Sequence, residues 1–276
     1  MGLKLMYITN NPQVAVIAQK YGVDRIWVDL ETLGKEERQG HIDSVKSHHS
    51  ISDIKKIVPL LNQSEMLVRV NPLNQNSEQE INAVIDAGAD LIMLPMWKTV
   101  ADVQDFLKIV AGRCKTVLLL ETKEAVECLD GVLQMEGIDE IHIGLNDLHL
   151  SYKKIFMFEL LSNGTVEEIC KKISKYDIPY GFGGIARLGY GELPAEKIIQ
   201  EHYRLGSTRA ILSRSFCNVQ QFSSLTEIEE VFAKNMQILK EYEIQLKNCS
   251  EEDFEQNRKS VVKIVNNICN AKMRGK

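Results

Sequence analysis

The sequence lacks the features that mark several common classes of protein. Its 276 residues carry 33 Lys and Arg against 38 Asp and Glu, so a net charge of −5 gives no basic surface for nucleic acid. No apolar run approaches the roughly 18 residues that cross a membrane, and the N-terminus lacks the pattern of a signal peptide. These absences predict a cytoplasmic globular protein that binds neither nucleic acid nor a membrane.

Cysteine is present but not in any organised pattern. The six cysteines are scattered along the chain, and none belongs to a CxxC pair. No His and Cys cluster has the spacing of a zinc site either. We therefore expect free thiols in a reducing compartment, without a disulfide framework or a structural zinc.

The sequence does contain a regular alternation of apolar, β-branched segments with helical patterns. Eight segments are predicted strands: "LMYIT", "RIWVDLE", "EMLVRVN", "DLIMLPM", "TVLLLET", "EIHIGLN", "PYGFGG" and "RAILSRSF". Near-continuous apolar strands are typical of a parallel sheet that is covered on both faces. Helical patterns lie between them in "NPQVAVIAQKYG", "SEQEINAVIDAGAD", "TVADVQDFLKIVAG", "TKEAVECLDGVLQMEG" and "LPAEKIIQEHYRLGS", and several end in Gly as a helix C-cap does. Strands and helices together predict an α/β fold, a (β/α)8 TIM barrel. A doubly wound open sheet is disfavoured, because no GxGxxG turn follows the first strand.

Two further helical segments follow the last predicted strand. They are "LTEIEEVFAKNMQILKEYEIQL" and "FEQNRKSVVKIVNNICNA", and each carries apolar residues on one face. The first is interpreted as the eighth outer helix of the barrel. The second is an addition that packs on the barrel or on a neighbouring subunit. We therefore predict a barrel domain of residues 1–247 and a C-terminal helical extension of residues 248–276.

Charged residues stand at the ends of several predicted strands, where TIM barrels place their active sites. They are Asp29 and Glu31 after strand two, Arg69 in strand three, Glu121 after strand five and Asp147 after strand six. Most of them have an ordinary structural explanation. Arg69 could form a buried ion pair with Asp29, and Glu121 and Asp147 could each begin a helix. All of them at one rim are better explained by a functional site.

The two acids that end neighbouring strands favour a bound cation. Carboxylates at the floor of one cavity repel each other unless a cation joins them or they share a proton, and no lysine ends these strands. Glu121 and Asp147 as ligands leave open positions on an octahedral Mg²⁺ or Mn²⁺ for water and a chelating substrate. Arg69 would fix a carboxylate or a developing enolate oxygen with its forked donors.

These segments resemble a known family. The pieces "VDLE", "VRVN", "DAGADLIMLPM", "ET.EAV..LD" and "G.NDL" occur in order over residues 20–150, with weaker likeness to residue 217. Together they are similar to the HpcH/HpaI aldolase and citrate lyase β-subunit superfamily. The resemblance implies a TIM barrel that cleaves or forms a C–C bond next to a 2-oxo acid or an acyl-CoA enolate.

The resemblance also implies roles for individual residues. Glu121 and Asp147 would bind Mg²⁺ or Mn²⁺, and Arg69 would contact the pyruvate or enolate oxygen. The substrate carboxylate would lie against main-chain amides near the end of strand six, and Glu31 would hold water bound to the metal. The full predicted substrate-binding set is Arg69, Pro95, Gly144, Leu145, Asn146 and Asp147, and the predicted catalytic set is Asp29, Glu31 and Arg69. Homo-oligomers, trimers or hexamers, are implied as well.

The sequence departs from the aldolase pattern at the residue that handles the proton. Thr32 stands where pyruvate aldolases of the family carry His. His41, His48, His49 and His149 are candidate substitutes, whereas His142 alternates with apolar residues and is predicted to be structural. Leu119 stands where the aldolases often have Gln, and Lys35 and Arg38 follow the spacing of the lyase branch.

Three functions therefore remain open. The leading hypothesis is a metal-dependent aldolase or lyase that acts on a pyruvate-like 2-oxo acid with an aldehyde partner. The second is an acyl-CoA lyase like citrate lyase or malyl-CoA lyase. The third is a barrel without catalysis that serves as a scaffold or ligand sensor, and Thr32 is the residue that supports it.

Overall fold

The computed structural model describes residues 2–34 and 49–274. Eight parallel strands form one closed barrel in chain order, which confirms the (β/α)8 fold and excludes the open doubly wound sheet. The strands are β1 Lys4–Ile8, β2 Arg25–Asp29, β3 Glu65–Arg69, β4 Leu91–Leu94, β5 Lys115–Leu120, β6 Glu140–Ile143, β7 Tyr180–Ile185 and β8 Arg209–Leu212. Each of the eight predicted segments overlaps one of them.

Eleven α-helices occur in the described residues. They are α1 Pro12–Lys20, α2 Ile51–Ile57, α3 Ser77–Asp86, α4 Val100–Val110, α5 Lys123–Val132, α6 Leu145–Ser151, α7 Glu159–Ser162, α8 Thr165–Ile173, α9 Ala195–Arg204, α10 Leu225–Leu246 and α11 Glu251–Arg274. None of the helices in this part of the chain combines the length and apolar character needed to cross a membrane.

Helix boundaries follow from local sequence chemistry. Asn11 caps α1 by accepting hydrogen bonds from the amides of Gln13 and Val14, at 2.9 and 3.2 Å. The predicted glycine C-caps are confirmed, for example at Gly88, where φ is +98° and a side chain is strained. A Cβ there would also approach Val58 Cγ1 to 3.0 Å.

One predicted strand is too long. Segment "EIHIGLN" was expected to be extended through Asn146, but β6 ends at Ile143 and Gly144 is the N-cap of α6. Helix α6 is one of four helices that the sequence patterns did not predict, and the others are α2, α7 and α8. Helices α2, α6 and α7 have seven residues or fewer, so they give weak periodic signals. Helix α8 has nine residues and buries Val166, Ile169, Cys170 and Ile173 at helical spacing, so its pattern was present in the sequence.

The chain contacts group into two compact units, residues 6–142 and residues 143–276 with 1–5. In the first unit, the register of β2 on β3 places Asp29 beside Arg69 and Arg25 beside Glu65. The fully buried Arg25 guanidinium also binds Glu140 through two hydrogen bonds of 2.6 Å. The starts of β2, β3 and β6 are thus joined by charge at the end of the strands opposite to Asp29 and Arg69.

In the second unit, the two C-terminal helices pack on their own chain. Helix α10 buries Ile228, Phe232 and Leu239 of its predicted apolar face. Helix α11 packs on α7 and α9 and buries Val261 and Val265. Asn257 strengthens that contact, because its Nδ2 donates to Lys197 O at 3.0 Å and Glu201 Oε1 at 2.9 Å. The predicted boundary after residue 247 falls in the connection between these helices and remains a prediction.

The glycines of "GFGG" in β7 have a structural explanation. Glycines at the end of a barrel strand can let the backbone come close to a ligand. At Gly181, however, a Cβ would lie 2.2 Å from Arg209 O on β8, so glycine is required for the strands to approach each other. Gly183 adopts φ +55°, and a Cβ there would meet Leu145 Cδ1 at 2.8 Å.

Candidate active site

Arg69 is the centre of a charged cluster at the carboxyl ends of β2 and β3. Its Nε and Nη2 donate to the two carboxylate oxygens of Asp29, each at 2.8 Å. Its Nη1 lies 3.2 Å from Glu31 Oε2. The predicted ion pair with Asp29 is therefore present, but it is one part of a larger arrangement. Of the five N–H donors of a guanidinium, three face these acids and two are left for another acceptor.

The Arg69 side chain also lies against an aromatic ring. Its Cζ lies 5.2 Å from the ring centroid of Trp27, which stands two residues before Asp29 on the same face of β2. Trp27 is buried and was not among the predicted site residues. The two-residue spacing from Asp29 is the signal that would have identified it.

Electrostatics hold this guanidinium in its charged form. Burial alone would lower the pKa of Arg69, but the carboxylates of Asp29, Glu31 and Glu121 outweigh burial and raise the pKa above its usual value. The side chains of Asp29 and Glu31 are almost fully buried, at 3% and 2% exposed. This one guanidinium therefore lies in the field of three acids.

Glu121 follows β5 directly, and a main-chain donor orients it. Its Oε1 accepts a hydrogen bond from Met96 N at 3.1 Å. Met96 has φ +54°, a conformation that is unfavourable for a residue with a side chain. It follows Pro95, a predicted substrate-binding residue, which is buried after the end of β4. The alternative that Glu121 begins the next helix is wrong, because Thr122 is the N-cap of α5.

In the second unit, the predicted substrate-binding run coincides with the start of α6. Gly144 is the N-cap, and Leu145, Asn146 and Asp147 form the first turn. The alternative of Asp147 as an N-cap is therefore wrong. Main-chain amides in the first turn of a helix have no partner within the helix and favour anions. Asp147 is 8% exposed.

Thr32, which replaces the expected histidine, has a structural role. The main-chain amides of Thr32 and Leu33 both donate to Asn71 Oδ1, at 2.9 and 3.0 Å. Asn71 in turn donates to Glu80 Oε1 at 2.8 Å. Burial raises the pKa of Glu80, although the hydrogen bonds from Asn71 oppose that shift. Thr32 is thus part of a hydrogen-bonded loop after β2.

The candidate histidines differ in what the structure shows. His41 and His48 lie outside the described residues, as do Lys35 and Arg38. His49 Nδ1 accepts a hydrogen bond from Asp29 N at 2.9 Å, so in the neutral ring the proton is on Nε2. With that bond in place the ring has no lone pair available to a proton. His142 is buried within β6, as predicted for a structural residue.

His149 has the opposite hydrogen-bond pattern. Its Nδ1 lies 3.2 Å from Leu145 O, and a carbonyl can only accept, so Nδ1 carries the proton. Nε2 of the neutral ring then keeps a lone pair that can accept a proton. The ring is buried, at 6% exposed. Of the two histidines, His149 is therefore the one in a state suited to a base.

The barrel and these strand-end groups define a (β/α)8 protein with a charged site at the carboxyl ends of its strands. The chain belongs to the HpcH/HpaI aldolase/citrate lyase family, whose model matches residues 4–155. Membership supports a lyase of the aldolase or citrate lyase type. No curated sequence relative matches the chain.

Solved structures with the same fold are similar over most of their length. An HpcH/HpaI aldolase from Desulfitobacterium hafniense DCB-2 gives a TM-score of 0.62 at 16% identity, covering 87% of this chain and 93% of that one. An HpcH/HpaI aldolase/citrate lyase family protein from Burkholderia cenocepacia J2315 gives a TM-score of 0.58 at 13% identity, and the match covers 82% of this chain and 95% of that one. The citrate synthase SbnG gives a TM-score of 0.60 at 17% identity, and the match covers 83% of this chain and 94% of that one. At these low sequence identities, the structural likeness establishes a shared fold and nothing further.

Proposed function

We propose that the protein is a divalent-metal-dependent C–C lyase that cleaves or forms a bond next to a 2-oxo acid such as pyruvate, with an aldehyde partner. The observation that carries the proposal is the Arg69 guanidinium, locked between Asp29 and Glu31 with two donors remaining and Glu121 nearby. This arrangement is suited to an oxygen that gains negative charge during the reaction.

Glu121 and Asp147 are the proposed ligands of Mg²⁺ or Mn²⁺. Both are buried carboxylates, and hard oxygen donors of this kind fit these ions. Within residues 2–34 and 49–274, no group of three or more His, Cys, Asp or Glu side chains is arranged to hold a metal. The protein would therefore supply two ligands and leave the other positions to water and substrate. A divalent ion there would supply Lewis-acid polarisation of the keto oxygen.

The residues of the chain have separate proposed tasks. Arg69 stabilises the enolate oxygen, and Asp29 and Glu31 keep its guanidinium in place. The first-turn amides from Gly144 to Asp147 receive the substrate carboxylate. Pro95 forms part of the wall beside the substrate. His149 is the candidate acceptor for the proton of the departing hydroxyl group.

Loss of the pyruvate methyl signal in D₂O, followed by proton NMR, tests this function without any aldehyde. We expect exchange with Mg²⁺ or Mn²⁺, and none after treatment with a chelator. Glu121→Gln should abolish exchange, whereas Glu124→Gln, at an exposed position three residues later, should not. Absence of exchange in every divalent ion would refute the proposal.

A second candidate function is supported by the family and by one structural neighbour. The family includes citrate lyases, and SbnG is a citrate synthase, so a carboxylic or acyl-CoA substrate is the alternative. Calorimetric titration with acetyl-CoA separates the two. A barrel that acts only as a scaffold or sensor is the third possibility, and it would bind no metal through Glu121.

A homo-oligomer in the cytoplasm is part of the same proposal. Light scattering on the purified protein should give three or six times the chain mass of 31.3 kDa. A monomer at micromolar concentration would contradict the trimer or hexamer.

A further inference from the structure

Trp27 lies within the strand ladder of the barrel, where its main chain is held on both sides. It pairs with Ile8 of β1 on one side and with Leu67 of β3 on the other. Its carbonyl also accepts a hydrogen bond from Thr9 N at 3.1 Å. All of these residues belong to the unit of residues 6–142. The position of the indole therefore depends on barrel strands rather than on a loop.

The guanidinium of Arg69 lies over the indole ring. Arg69 Cζ is 5.2 Å from the ring centroid, within the distance of about 6 Å at which an aromatic ring attracts a cation. Trp27 is 2% exposed, and the Arg69 side chain is 11% exposed. A contact that is shielded from water is stronger than an exposed one, and tryptophan attracts cations better than the other aromatic residues do.

The ring and the acids restrain the guanidinium by different forces. Asp29 accepts two hydrogen bonds of 2.8 Å from Arg69, and Glu31 Oε2 lies 3.2 Å from Nη1. The ring acts through the attraction of its π system for the charge, which needs no hydrogen-bond acceptor. Two N–H donors of Arg69 therefore remain for an oxygen of the substrate.

The indole N–H is not what Trp27 contributes to this cluster. Trp27 Nε1 is buried and has no hydrogen-bond partner within residues 2–34 and 49–274. A buried donor without an acceptor is unfavourable for the folded protein. The contact that Trp27 makes with the charged cluster is therefore that of its ring with Arg69.

We infer that Trp27 is a positioning residue, whose ring holds the Arg69 guanidinium so that its two remaining donors reach the enolate oxygen. This inference rests on the proposed function, which it deepens by adding a residue that acts through Arg69. A less restrained guanidinium still attracts pyruvate by its charge, but its donors lie less often at the oxygen where negative charge develops. The ring should therefore matter more for the enolate than for pyruvate.

Pyruvate methyl exchange measures the effect on the proposed reaction. Trp27→Leu keeps an apolar side chain but removes the π system, and we expect kcat for exchange to fall roughly tenfold or more. KM for pyruvate should stay unchanged, because the lost interaction belongs to the transition state. Trp27→Phe should lie between the two proteins, since a phenyl ring attracts a cation less strongly than an indole does.

Phe106→Leu is the control for the loss of a buried aromatic ring. Phe106 lies on α4 in the same unit, is fully buried, and has no cation over its ring within the described residues. This variant should keep the kcat of the unaltered protein. An equal loss of kcat in Phe106→Leu and Trp27→Leu would overturn the assignment.

Binding of oxalate, an analogue of the pyruvate enolate, separates this inference from the proposed function. In calorimetric titrations with Mg²⁺ present, Kd for oxalate should rise in Trp27→Leu by the factor by which kcat falls. Phe106→Leu should bind oxalate as the unaltered protein does. If methyl exchange fails in every protein but the loss of affinity is confined to Trp27→Leu, the positioning role stands and the proposed reaction is wrong. If exchange occurs and Trp27→Leu keeps both its kcat and its affinity for oxalate, the assignment of Trp27 is wrong.

Trp27→Phe decides between the ring and the indole N–H. Both variants lack that N–H, but only Trp27→Phe keeps an aromatic ring, so equal losses in the two would overturn a role for the ring. Should Trp27→Leu fail to fold, Trp27→Phe is compared with the unaltered protein instead. It should bind oxalate more weakly, and unchanged binding would overturn the assignment.

Discussion

Arg69 is central both to the buried charged cluster and to the proposed chemistry. Its two hydrogen bonds to Asp29 and its contact with Glu31 compensate the burial of three charges. Such a cluster adds little net stability compared with well-packed apolar residues, but removing one partner is strongly destabilising for the folded protein. The remaining acids would then lose the countercharge that Arg69 supplies.

Arg69→Ala is therefore expected to lower the free energy of unfolding by about 3 kcal/mol or more, measured by urea denaturation. Arg258→Ala is the control. Arg258 pairs with Glu255 at 2.9 Å on the exposed surface of α11, and its loss should cost less than about 0.5 kcal/mol. Equal costs for the two variants would show that the Arg69 cluster is not an energetically coupled unit.

Met96 is a residue whose backbone, rather than its side chain, supports the site. Its φ of +54° aims the amide at Glu121 Oε1. Strain of this kind is common next to functional groups, where the surrounding structure enforces it.

A comparison of Met96→Gly with Met96→Ala isolates that strain. The glycine variant should be the more stable by about 1 kcal/mol in thermal or urea unfolding, because glycine has no Cβ to clash at positive φ. At Gln104, an exposed position within α4, the order should reverse, with alanine more stable by about 1 kcal/mol. The same order at both positions would argue against strain at Met96.

At the scale of elements, ion pairs connect the starts of the strands at the amino-terminal end of the barrel. Glu65 on β3 accepts from Arg25 on β2 at 3.0 Å and from Lys115 on β5 at 2.6 Å. Burial alone would raise the pKa of Glu65, but hydrogen bonds from Lys115 and Arg25 outweigh it and lower the pKa below 4.5. The network therefore depends on the ionised form of Glu65, which is lost only in acid.

The direction of the pH effect follows from that shift. A carboxyl whose pKa is lower in the folded state contributes stability above its unfolded value, and the contribution is lost as the pH falls through the folded value. We expect the unfolding free energy of the protein to decrease as the pH falls below about 4.5. In Glu65→Gln, the unfolding free energy should depend less steeply on pH in this acidic range. Glu78→Gln, at the start of α3, should keep the original slope. Identical slopes in all three proteins would contradict a role for Glu65.

At the scale of the whole molecule, a ligand that binds only the folded protein must raise its melting temperature. At a hundredfold excess over Kd the stabilisation is about 2.7 kcal/mol. For a chain of this size that corresponds to roughly 5–10 °C.

We therefore expect Mn²⁺ with oxalate, an analogue of the pyruvate enolate, to raise the melting temperature in a scanning fluorimetry titration. Glu121→Gln should remove most of the shift, and Glu124→Gln should retain it. A shift that survives Glu121→Gln would place the metal elsewhere. A shift without pyruvate exchange would contradict the proposed lyase chemistry, and the absence of any shift would favour the sensor or scaffold.

Much of the fold was predictable from the sequence, because strand and long-helix signals are local. Continuous apolar segments marked all eight strands, and glycine C-caps marked several helix ends. The short helices α6 and α7 escaped prediction, since seven and four residues do not complete enough turns for a periodic pattern.

The candidate site was predictable at a coarser level. Strand ends alone identified Asp29, Glu31, Arg69 and Glu121, because parallel strands in a barrel deliver their last residues to one rim. The sequence could not reveal the donors. The Met96 amide at Glu121 and the Asp29 amide at His49 depend on main-chain directions in loops.

By itself, then, the sequence determined the barrel, its strands and the acids and arginine at their ends, since these depend on local periodicity and on position along a strand. Only the tertiary structure decided which groups are neutralised and which keep donors. It paired Arg69 with two acids, placed its guanidinium over the Trp27 ring, and fixed the proton of His49 on the nitrogen away from Asp29. These outcomes depend on distances between residues far apart in the chain, which no local pattern encodes.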